Sequence, residues 1–377
     1  MFDDIRPYND SEIPAAMRRI VADPSFGPVC AFLFPDENPS VVADLLLSCR
    51  SVRDFQKKFM YSAIYSIIGK TTDGVTVDGL DALSPDKSYL FVSNHRDIVL
   101  DAAFLQVLLD DACLPTSEIT FGANLMQGQF VIDFGKSNKM FRVERPTTVA
   151  SGREFLEKSN YLSNYIRHTI TEKHESAWIA QRNGRTKDGD DRTDRGIITM
   201  LCQSGGADRA RSLAELNIVP LSISYEWEPC DILKSVELCK RATGLPYAKQ
   251  PGEDLKSILT GITQKKGRVH VSAGRCLTEK DLSPLAGLSR GEFTKAVAEM
   301  IDRAILSSYT LYPNNYIAHD IFYGESSDRY SVRQKEEFVS HLSELDGYPE
   351  SDTLKKILLG MYSAPVRNKA ALSRQTL

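Results

Sequence analysis

Short apolar runs alternate with stretches of helical periodicity along the middle of the chain. Runs rich in β-branched and aromatic residues predict strands at 75–77, 89–93, 118–121, 140–143, 177–180, 218–225 and 268–272. Between them, apolar residues spaced three and four apart predict helices around 102–109, 152–172 and 195–203. This alternation predicts an α/β fold in which helices flank a central mixed sheet.

The two ends of the chain carry helical patterns instead. Apolar spacing predicts helices within 11–22 and 41–69, and the stretch 24–39, bounded by prolines, predicts a loop. Near the other end, 290–308 predicts a helix, followed by further helical packing. We therefore expect three regions: an N-terminal helical region at 1–70, a core at 71–285 and a C-terminal helical extension at 286–377.

One N-terminal segment has two interpretations. Residues 53–69 join basic side chains to a run of aromatic and aliphatic ones, a pattern that suits a helix lying on an anionic membrane surface. The same pattern suits a helix whose apolar face packs on the core, which is the commoner arrangement.

Composition narrows the class of protein. The chain has 377 residues, 42% of them hydrophobic and 25% charged, which is typical of a globular protein with one large core or two domains. A net charge of −4 argues against nucleic-acid binding, which usually requires a basic domain. The sequence contains neither a membrane-spanning apolar run nor the basic-then-apolar order of a signal peptide. We expect a cytoplasmic protein, with peripheral contact to the inner face of the cytoplasmic membrane as an alternative.

The potential metal ligands are scattered. The seven cysteines are odd in number and lack a Cys-x-x-Cys spacing, so they predict reduced, mostly buried thiols. The six histidines form no cluster with spacing suited to a metal. The sequence therefore predicts no metal site.

The strongest candidate for chemistry follows the strand at 89–93. The strand breaks at Ser93-Asn94, which places His95 on a loop, and Asp101 follows six residues later as the expected N-cap of a helix. A histidine and a carboxylate held between two buried elements can act as a base and its orienting group. The alternative is an ordinary loop histidine, with Asp97 or Asp101 merely capping the helix.

Two further segments carry potential anion ligands. Arg142 and Arg145, on and after the strand at 140–143, could clamp a phosphate or pair with neighbouring glutamates. Residues 178–189 run from a strand into a loop with two glycines and three cations, Arg182, Arg185 and Lys187, which could converge on one anion. A charge run is usually only a solvated face, but here an apolar strand leads directly into it.

Together with the Val-Pro strand at 218–226, these segments resemble the four motifs of the glycerolipid acyltransferase family, of the glycerol-3-phosphate or 1-acylglycerol-3-phosphate O-acyltransferase type. The family's first motif is a His and an Asp separated by four residues, and its second contains the Gly-x-Asn-Leu seen here at 122–125. Its third motif centres on Glu-Gly followed by Arg, which Gly184 and Arg185 match. All four motifs occur in family order.

The resemblance implies an activity in phospholipid biosynthesis. A fatty acyl group would pass from acyl carrier protein or coenzyme A to a hydroxyl of glycerol phosphate, lysophosphatidate or a related lipid, without another cofactor. His95 would be the base and Asp101 or Asp97 its orienting carboxylate. The substrate-binding residues implied are Asn124, Arg142, Arg145, Arg182, Asn183, Gly184, Arg185 and Lys187.

Two departures from the family pattern leave alternatives open. Five residues separate His95 from Asp101, and Asn183 replaces the glutamate of the third motif. The acceptor could therefore be an aminolipid precursor, or the chain could be a non-catalytic lipid- or acyl-carrier-binding protein on the same fold. A hydrolase using Ser93 or Ser204 is a further alternative, although the sequence lacks a Gly-x-Ser-x-Gly elbow.

Overall fold

A seven-stranded mixed sheet forms the centre of the molecule. The structure, a computed structural model, describes residues 2–144, 151–242, 250 and 252–374. The strands run in the order β1-β7-β6-β2-β5-β3-β4; β6 and β7 are antiparallel and the other neighbours are parallel. Their bounds are β1 Thr72–Asp78, β2 Leu90–Ser93, β3 Glu118–Gly122, β4 Met140–Val143, β5 Ala177–Ala180, β6 Ile218–Tyr225 and β7 Gly267–Ala273. The predicted fold class and all seven predicted strands are confirmed.

Helices cover both faces of the sheet and extend beyond it at each end. Their bounds are α1 Ile13–Ala22, α2 Phe26–Leu33, α3 Pro39–Leu47, α4 Val52–Phe55, α5 Tyr61–Thr71, α6 Leu100–Asp111, α7 Gln129–Ser137, α8 Gly152–Thr171, α9 Arg195–Leu201, α10 Arg209–Ala214, α11 Asp231–Ala242, α12 Glu253–Thr263, α13 Glu279–Leu282, α14 Arg290–Ser308, α15 Pro313–Tyr323, α16 Val332–Ser343 and α17 Ser351–Arg374. A π-helical turn, Gln56–Met60, joins α4 to α5.

The helix predictions hold except in one place. The predicted helices at 102–109, 152–172, 195–203 and 290–308 correspond to α6, α8, α9 and α14. The predicted loop at 24–39 is wrong, because α2 lies inside it. Phe26 and Cys30 of α2 are buried in the N-terminal apolar cluster, and this burial outweighs the helix-breaking signal of Pro28.

The alternating side chains of the central strand build two apolar layers. Leu90 and Val92 of β2 pack in one layer, and Phe91 packs with Trp178 of β5 in the other. Because β2 is buried on both faces, nearly every one of its residues is apolar, as is usual for a parallel strand between helices.

The apolar face of 53–69 packs inside the protein. Phe55, Phe59, Ile64 and Ile67 are buried, and the first two contact Phe134 of α7. The core-packing interpretation of this segment is therefore confirmed. None of the helices in the described part of the chain is long and apolar enough to cross a membrane.

The C-terminal helices pack against the core through a separate cluster. Phe338 of α16 stacks on Trp227, which lies on the segment between β6 and α11, and also contacts Tyr362 of α17. Leu358 of α17 belongs to the same cluster. The extension therefore contacts a loop that leaves the carboxyl end of a central strand. In parallel sheets, such loops collect at one edge and carry binding sites.

Candidate functional site

The loop between β2 and α6 is fixed by Asn94. Its side-chain Nδ2 donates hydrogen bonds to Asp191 Oδ2 (3.0 Å) and to the carbonyl of Ile223 (3.0 Å). Its Oδ1 accepts the N–H of Ile223 (2.8 Å). The loop is therefore bonded to β6 on one side and to the loop after β5 on the other, so the backbone of the next residue has a defined position.

The next residue, His95, contacts Asp101. Its Nδ1 lies 2.9 Å from Asp101 Oδ2, and the same oxygen accepts the backbone N–H groups of Arg96 (2.6 Å) and Asp97 (2.9 Å). Asp101 Oδ1 accepts the hydroxyl of Tyr225 (2.7 Å). Because both oxygens are occupied, the carboxylate can hold the imidazole in one orientation.

The two acidic residues of this loop have different partners. Asp101 is not the helix N-cap, as the sequence suggested, but lies in the first turn of α6, which begins at Leu100. The helix start is instead bonded by Asp97, whose Oδ1 accepts the N–H groups of Val99 (2.9 Å) and Leu100 (2.8 Å). Asp97 therefore terminates the loop, and Asp101 is the carboxylate that bonds the histidine. The five-residue spacing is compatible with this contact.

The surroundings of His95 leave one ring nitrogen available. The side chain is 12% exposed, its ring meets Trp178 edge-to-face at 5.7 Å, and Nε2 forms no hydrogen bond with the described residues. The third-motif loop lies against it, since the N–H of Thr186 donates to the His95 carbonyl (2.7 Å). With Nδ1–H donated to Asp101, Nε2 can accept a proton.

Tyr225 is held in its donating form. Burial and the negative charge of Asp101 raise the pKa of its hydroxyl well above the usual value. The phenol therefore remains protonated and donates to Asp101 under all ordinary conditions.

A buried network of charges lies next to this pair. Arg96 is 1% exposed and donates to Asp191 (2.5 Å) and Glu228 (3.0 Å). Lys234 donates to Glu228 (2.6 Å) and to the carbonyl of Arg96 (2.7 Å). Burial by itself would lower the pKa of Arg96, but the two carboxylates outweigh it and raise the pKa well above its usual value. Two cations and two anions compensate one another, which a buried charge requires.

The cationic loop after β5 is only partly as predicted. Lys187 is paired with Glu237, and Asn183 is exposed. Burial lowers the pKa of Lys187 although Glu237 opposes it. Arg182 forms no hydrogen bond or ion pair with the described residues, and Nη1 of Arg185 is buried without a hydrogen-bond partner. The two arginines, rather than the lysine, are therefore available for an anion; Gly184 between them has φ +80°, which favours glycine.

The second-motif residues lie further along the sheet. Arg142 is on the edge strand β4, three strands from β2, and pairs with Glu144 at 2.7 Å, as the alternative interpretation expected. Asn124 follows β3, and its Nδ2 donates to Asp254 (3.1 Å). Arg145 lies outside the described residues.

Several buried polar atoms at this edge have no partner among the described residues. They include Nε1 of Trp178, Nε2 of Gln181 and Nη1 of Arg185 on and after β5, Oδ1 of Asn124 after β3, and Oδ2 of Asp97 in the His95 loop. Most buried polar atoms in proteins are hydrogen-bonded, so a group of unpaired ones near the ends of β3 and β5 suggests where a ligand or water binds.

Several residues around the pair are not found by sequence reasoning. Tyr225 ends the fourth-motif strand, so its position beside His95 follows once the strand order is known. Arg96 lies inside the first motif but has no signal of burial. Asp191, Glu228 and Lys234 are brought in by loops that carry no motif.

The serines of the hydrolase alternative are hydrogen-bonded to groups other than His95. Ser93 Oγ donates to the Asn94 carbonyl, and Ser204 is bonded to Ser163. All seven cysteines are free. Among the described residues, the group able to hold a metal is His319, Asp320 and Glu325, whose donor atoms lie within 4.8 Å of one another. It contains none of the predicted site residues.

The fold and site together define an α/β protein with a His–Asp pair at the carboxyl edge of a mixed sheet. No family model and no curated protein matches the chain. Among solved structures, it is similar to the crystal structure of the 1-acyl-sn-glycerophosphate (LPA) acyltransferase PlsC from Thermotoga maritima, at 15% identity and a TM-score of 0.39, covering 78% of this chain and 93% of that one. A similarity this low does not assign a function to the chain.

Proposed function

We propose that this protein is an acyltransferase, which moves a fatty acyl group from a thioester to a hydroxyl of a phosphate-bearing glycerolipid precursor. The observation that carries the proposal is the contact of His95 Nδ1 with Asp101, which leaves Nε2 unpaired. A base of this kind suits removal of a proton from a hydroxyl near neutral pH. The four segments that resemble the glycerolipid acyltransferase motifs occur in family order, which supports a glycerolipid precursor as the acceptor.

The proposed reaction uses the two ring nitrogens of His95 differently, with Nδ1 bonded to Asp101 and Nε2 acting as the base. Nε2 takes the proton of the acceptor hydroxyl as its oxygen forms a bond to the thioester carbonyl carbon. Asp101 stabilises the imidazolium that forms. The carbon–sulfur bond then breaks, and the imidazolium returns the proton to the departing thiolate. A positioned base contributes roughly a hundred- to ten-thousand-fold. No residue of the protein becomes acylated.

Arg182 and Arg185 are the proposed ligands of the acceptor's anionic group. Arg185 has a buried nitrogen without a partner, and a guanidinium binds phosphate oxygens through paired donors. Lys187 contributes less, since Glu237 already neutralises it. An acceptor held in this way presents its hydroxyl in a fixed orientation, which lowers the entropic cost of the reaction.

The exposed Asn183 favours testing a second acceptor class. An asparagine removes the negative charge that the resembled motif carries there, so the loop would also accept the carboxylate of an acylated amino acid. The donor is a thioester of acyl carrier protein or coenzyme A. Because an acceptor that already carries an acyl chain partitions into membranes, we expect peripheral contact with the cytoplasmic face of a membrane.

The test is transfer of a radiolabelled acyl group by the purified protein. Both acyl-carrier-protein and coenzyme A donors are combined with glycerol 3-phosphate, lysophosphatidate and an N-acyl amino acid that carries a free hydroxyl. We expect turnover with at least one acceptor, and a loss of about a hundredfold or more in His95→Ala with unchanged thermal unfolding. His319→Ala, at a half-buried position of α15 that lies outside the candidate site, is the control. Turnover that is equal in wild type and His95→Ala contradicts the proposal, as does the absence of transfer to every acceptor.

A further inference from the structure

The last helix of the chain contacts the loop that follows β6. The hydroxyl of Tyr362 on α17 accepts the backbone N–H of Glu228 (2.8 Å) and donates to Asp231 Oδ2 (2.8 Å). His341 of α16 bonds the same carboxylate oxygen at 2.7 Å. Tyr362 and Asp231 are both buried. The C-terminal extension therefore fixes the backbone of Glu228 by a direct hydrogen bond.

The same helix contacts the loop that follows β5. The side chain of Asn368 donates to Asp190 Oδ1 (2.9 Å). Gly189 lies so close to the Met361 carbonyl that a Cβ atom there would be 2.0 Å from its oxygen. Only glycine is compatible with this approach, so the third-motif loop is in tight contact with α17.

Each of these loops supplies one carboxylate to Arg96. Asp191 comes from the loop after β5 and Glu228 from the loop after β6. The extension adds a third contact, since the guanidinium lies 5.3 Å from the ring centre of Tyr309 at the end of α14. Arg96 is therefore held by groups whose positions α14 and α17 help to set.

Arg96 connects these contacts to the His–Asp pair. It is the residue after His95, and its backbone N–H donates to Asp101 Oδ2, the oxygen that bonds the imidazole. Its carbonyl is held by Lys234, which also bonds Glu228. A displacement of Glu228 or Asp191 would move Arg96 and, with it, the backbone that aims His95. Displacements of about 1 Å can reduce catalysis about a hundredfold.

We infer that the C-terminal extension helps to position the catalytic pair of the candidate active site. Tyr362 acts through Glu228 and Arg96 to hold His95 and Asp101 in place. Tyr362 and Arg96 are positioning residues, because neither is placed to touch a substrate. The kinetic part of this inference rests on the proposed acyltransferase function. The structural link from α17 to the His95 loop does not.

The chain offers a matched control for Tyr362. Tyr330 lies in the same extension, and its hydroxyl also donates to an aspartate, Asp320, at 2.8 Å. Tyr330 packs against the same apolar cluster as Tyr362, but among the described residues neither Tyr330 nor Asp320 forms a hydrogen bond with the loops that hold Arg96. Both Tyr362→Phe and Tyr330→Phe therefore remove a hydroxyl from the C-terminal extension. Only the hydroxyl of Tyr362 is hydrogen-bonded to a loop that holds Arg96.

The experiment combines hydrogen exchange of the full chain with turnover. In Tyr362→Phe we expect faster exchange in peptides covering 94–101 and 226–231, and a fall in kcat of about tenfold with little change in KM, since one buried hydrogen bond to a positioned loop is lost. Tyr330→Phe should match the wild type in both. Asn368→Ala, at a partly exposed position, should shift the exchange of peptides 94–101 and 189–191 in the same direction and serves if Tyr362→Phe does not fold.

The outcomes separate the two proposals. Identical exchange at 94–101 in the wild type, Tyr362→Phe and Asn368→Ala overturns the inference, and so does altered exchange with unchanged kcat. If the wild type transfers no acyl group to any acceptor, the proposed function fails and the exchange result alone decides whether the extension positions the His95 loop.

Discussion

The two helical additions contact different parts of the core. The N-terminal helices attach through aromatic packing, with Phe55, Phe59 and Phe134 in mutual contact at ring distances of 5.4–5.7 Å, and through the buried carboxylate of Asp133, which bonds Arg19 and Tyr8. The C-terminal helices attach through buried polar groups as well, in particular Tyr362 and His341 on Asp231. Asp133 lies on α7, whereas Asp231 lies three residues after Glu228, which bonds Arg96.

This difference suggests separate roles for the two ends. The N-terminal contact buries surface and stabilises the fold, and it lies on the α6 and α7 side of the molecule. The C-terminal contact ends on the loops that hold Arg96. A change at the first should therefore alter stability alone, and a change at the second should alter turnover as well.

The largest effect is expected at Arg96, where a substitution should lower both stability and turnover. Arg96→Met leaves Asp191 buried without its cation, which should lower the free energy of unfolding by about 3–5 kcal/mol. Turnover of the remaining folded protein should fall about a hundredfold because the His95 loop loses its anchor. Urea unfolding and initial rates measure the two. Arg142→Ala, which breaks a surface pair, should cost less than about 1 kcal/mol; an equal cost would contradict the role given to burial.

A matching change at the N-terminal contact should affect stability alone. Phe59→Ala removes a fully buried ring, and the free energy of unfolding should fall by about 3–5 kcal/mol. The rate per folded molecule should stay within about twofold of wild type. Val41→Ala, on an exposed position of α3, should change neither. A large loss of kcat in folded Phe59→Ala would remove the distinction between the two ends.

The C-terminal contact should give the protein a pH dependence of its own. Burial would lower the pKa of His341, but the hydrogen bond and charge of Asp231, with Glu344, raise it to about 9. Since the folded pKa exceeds the unfolded value, the stabilisation is complete below about pH 6.5 and is lost as pH rises through about 9. The loss is at most on the order of 3 kcal/mol. Urea unfolding across this range should show the decline in the wild type and not in His341→Gln.

The smallest effect is expected from the hydroxyl that bonds Asp101. Tyr225→Phe retains the ring and removes one of the hydrogen bonds to the carboxylate. We expect a loss of about 1 kcal/mol in stability and about fivefold in kcat. Tyr61→Phe removes a similar tyrosine–aspartate contact on the N-terminal side and should leave kcat unchanged. Equal kcat in both variants would mean that Asp101 does not need this donor.

Much of the central fold is predictable from local pattern. The strand at 89–93 is visible because a strand buried on both faces is a continuous apolar run, and the helix at 290–308 because its apolar residues keep one spacing. The helix α2 is not predicted, because Pro28 marks a break and only burial of Phe26 and Cys30 favours the helix. Local sequence signals fail to predict a helix when its formation depends on burial against residues that are distant in the sequence.

The candidate site also contains residues that the sequence identifies and contacts that only the structure shows. His95 and the carboxylate at Asp101 are recognisable because both lie within one short segment. The choice of Asp101 over Asp97 as the partner of the ring depends on the backbone path through the loop, which bonds Asp97 to the helix start instead.

The sequence alone determined the alternation of elements, the burial of the strand before His95 and the types of residue available for chemistry, because these follow from local periodicity and side-chain identity. The tertiary structure decided which charges meet: Arg96 with Asp191 and Glu228, Asp101 with Tyr225, and the core with Tyr362. These partners are 95 or more residues apart in the chain. Contacts at such separation arise from the order of strands in the sheet, which local patterns do not specify.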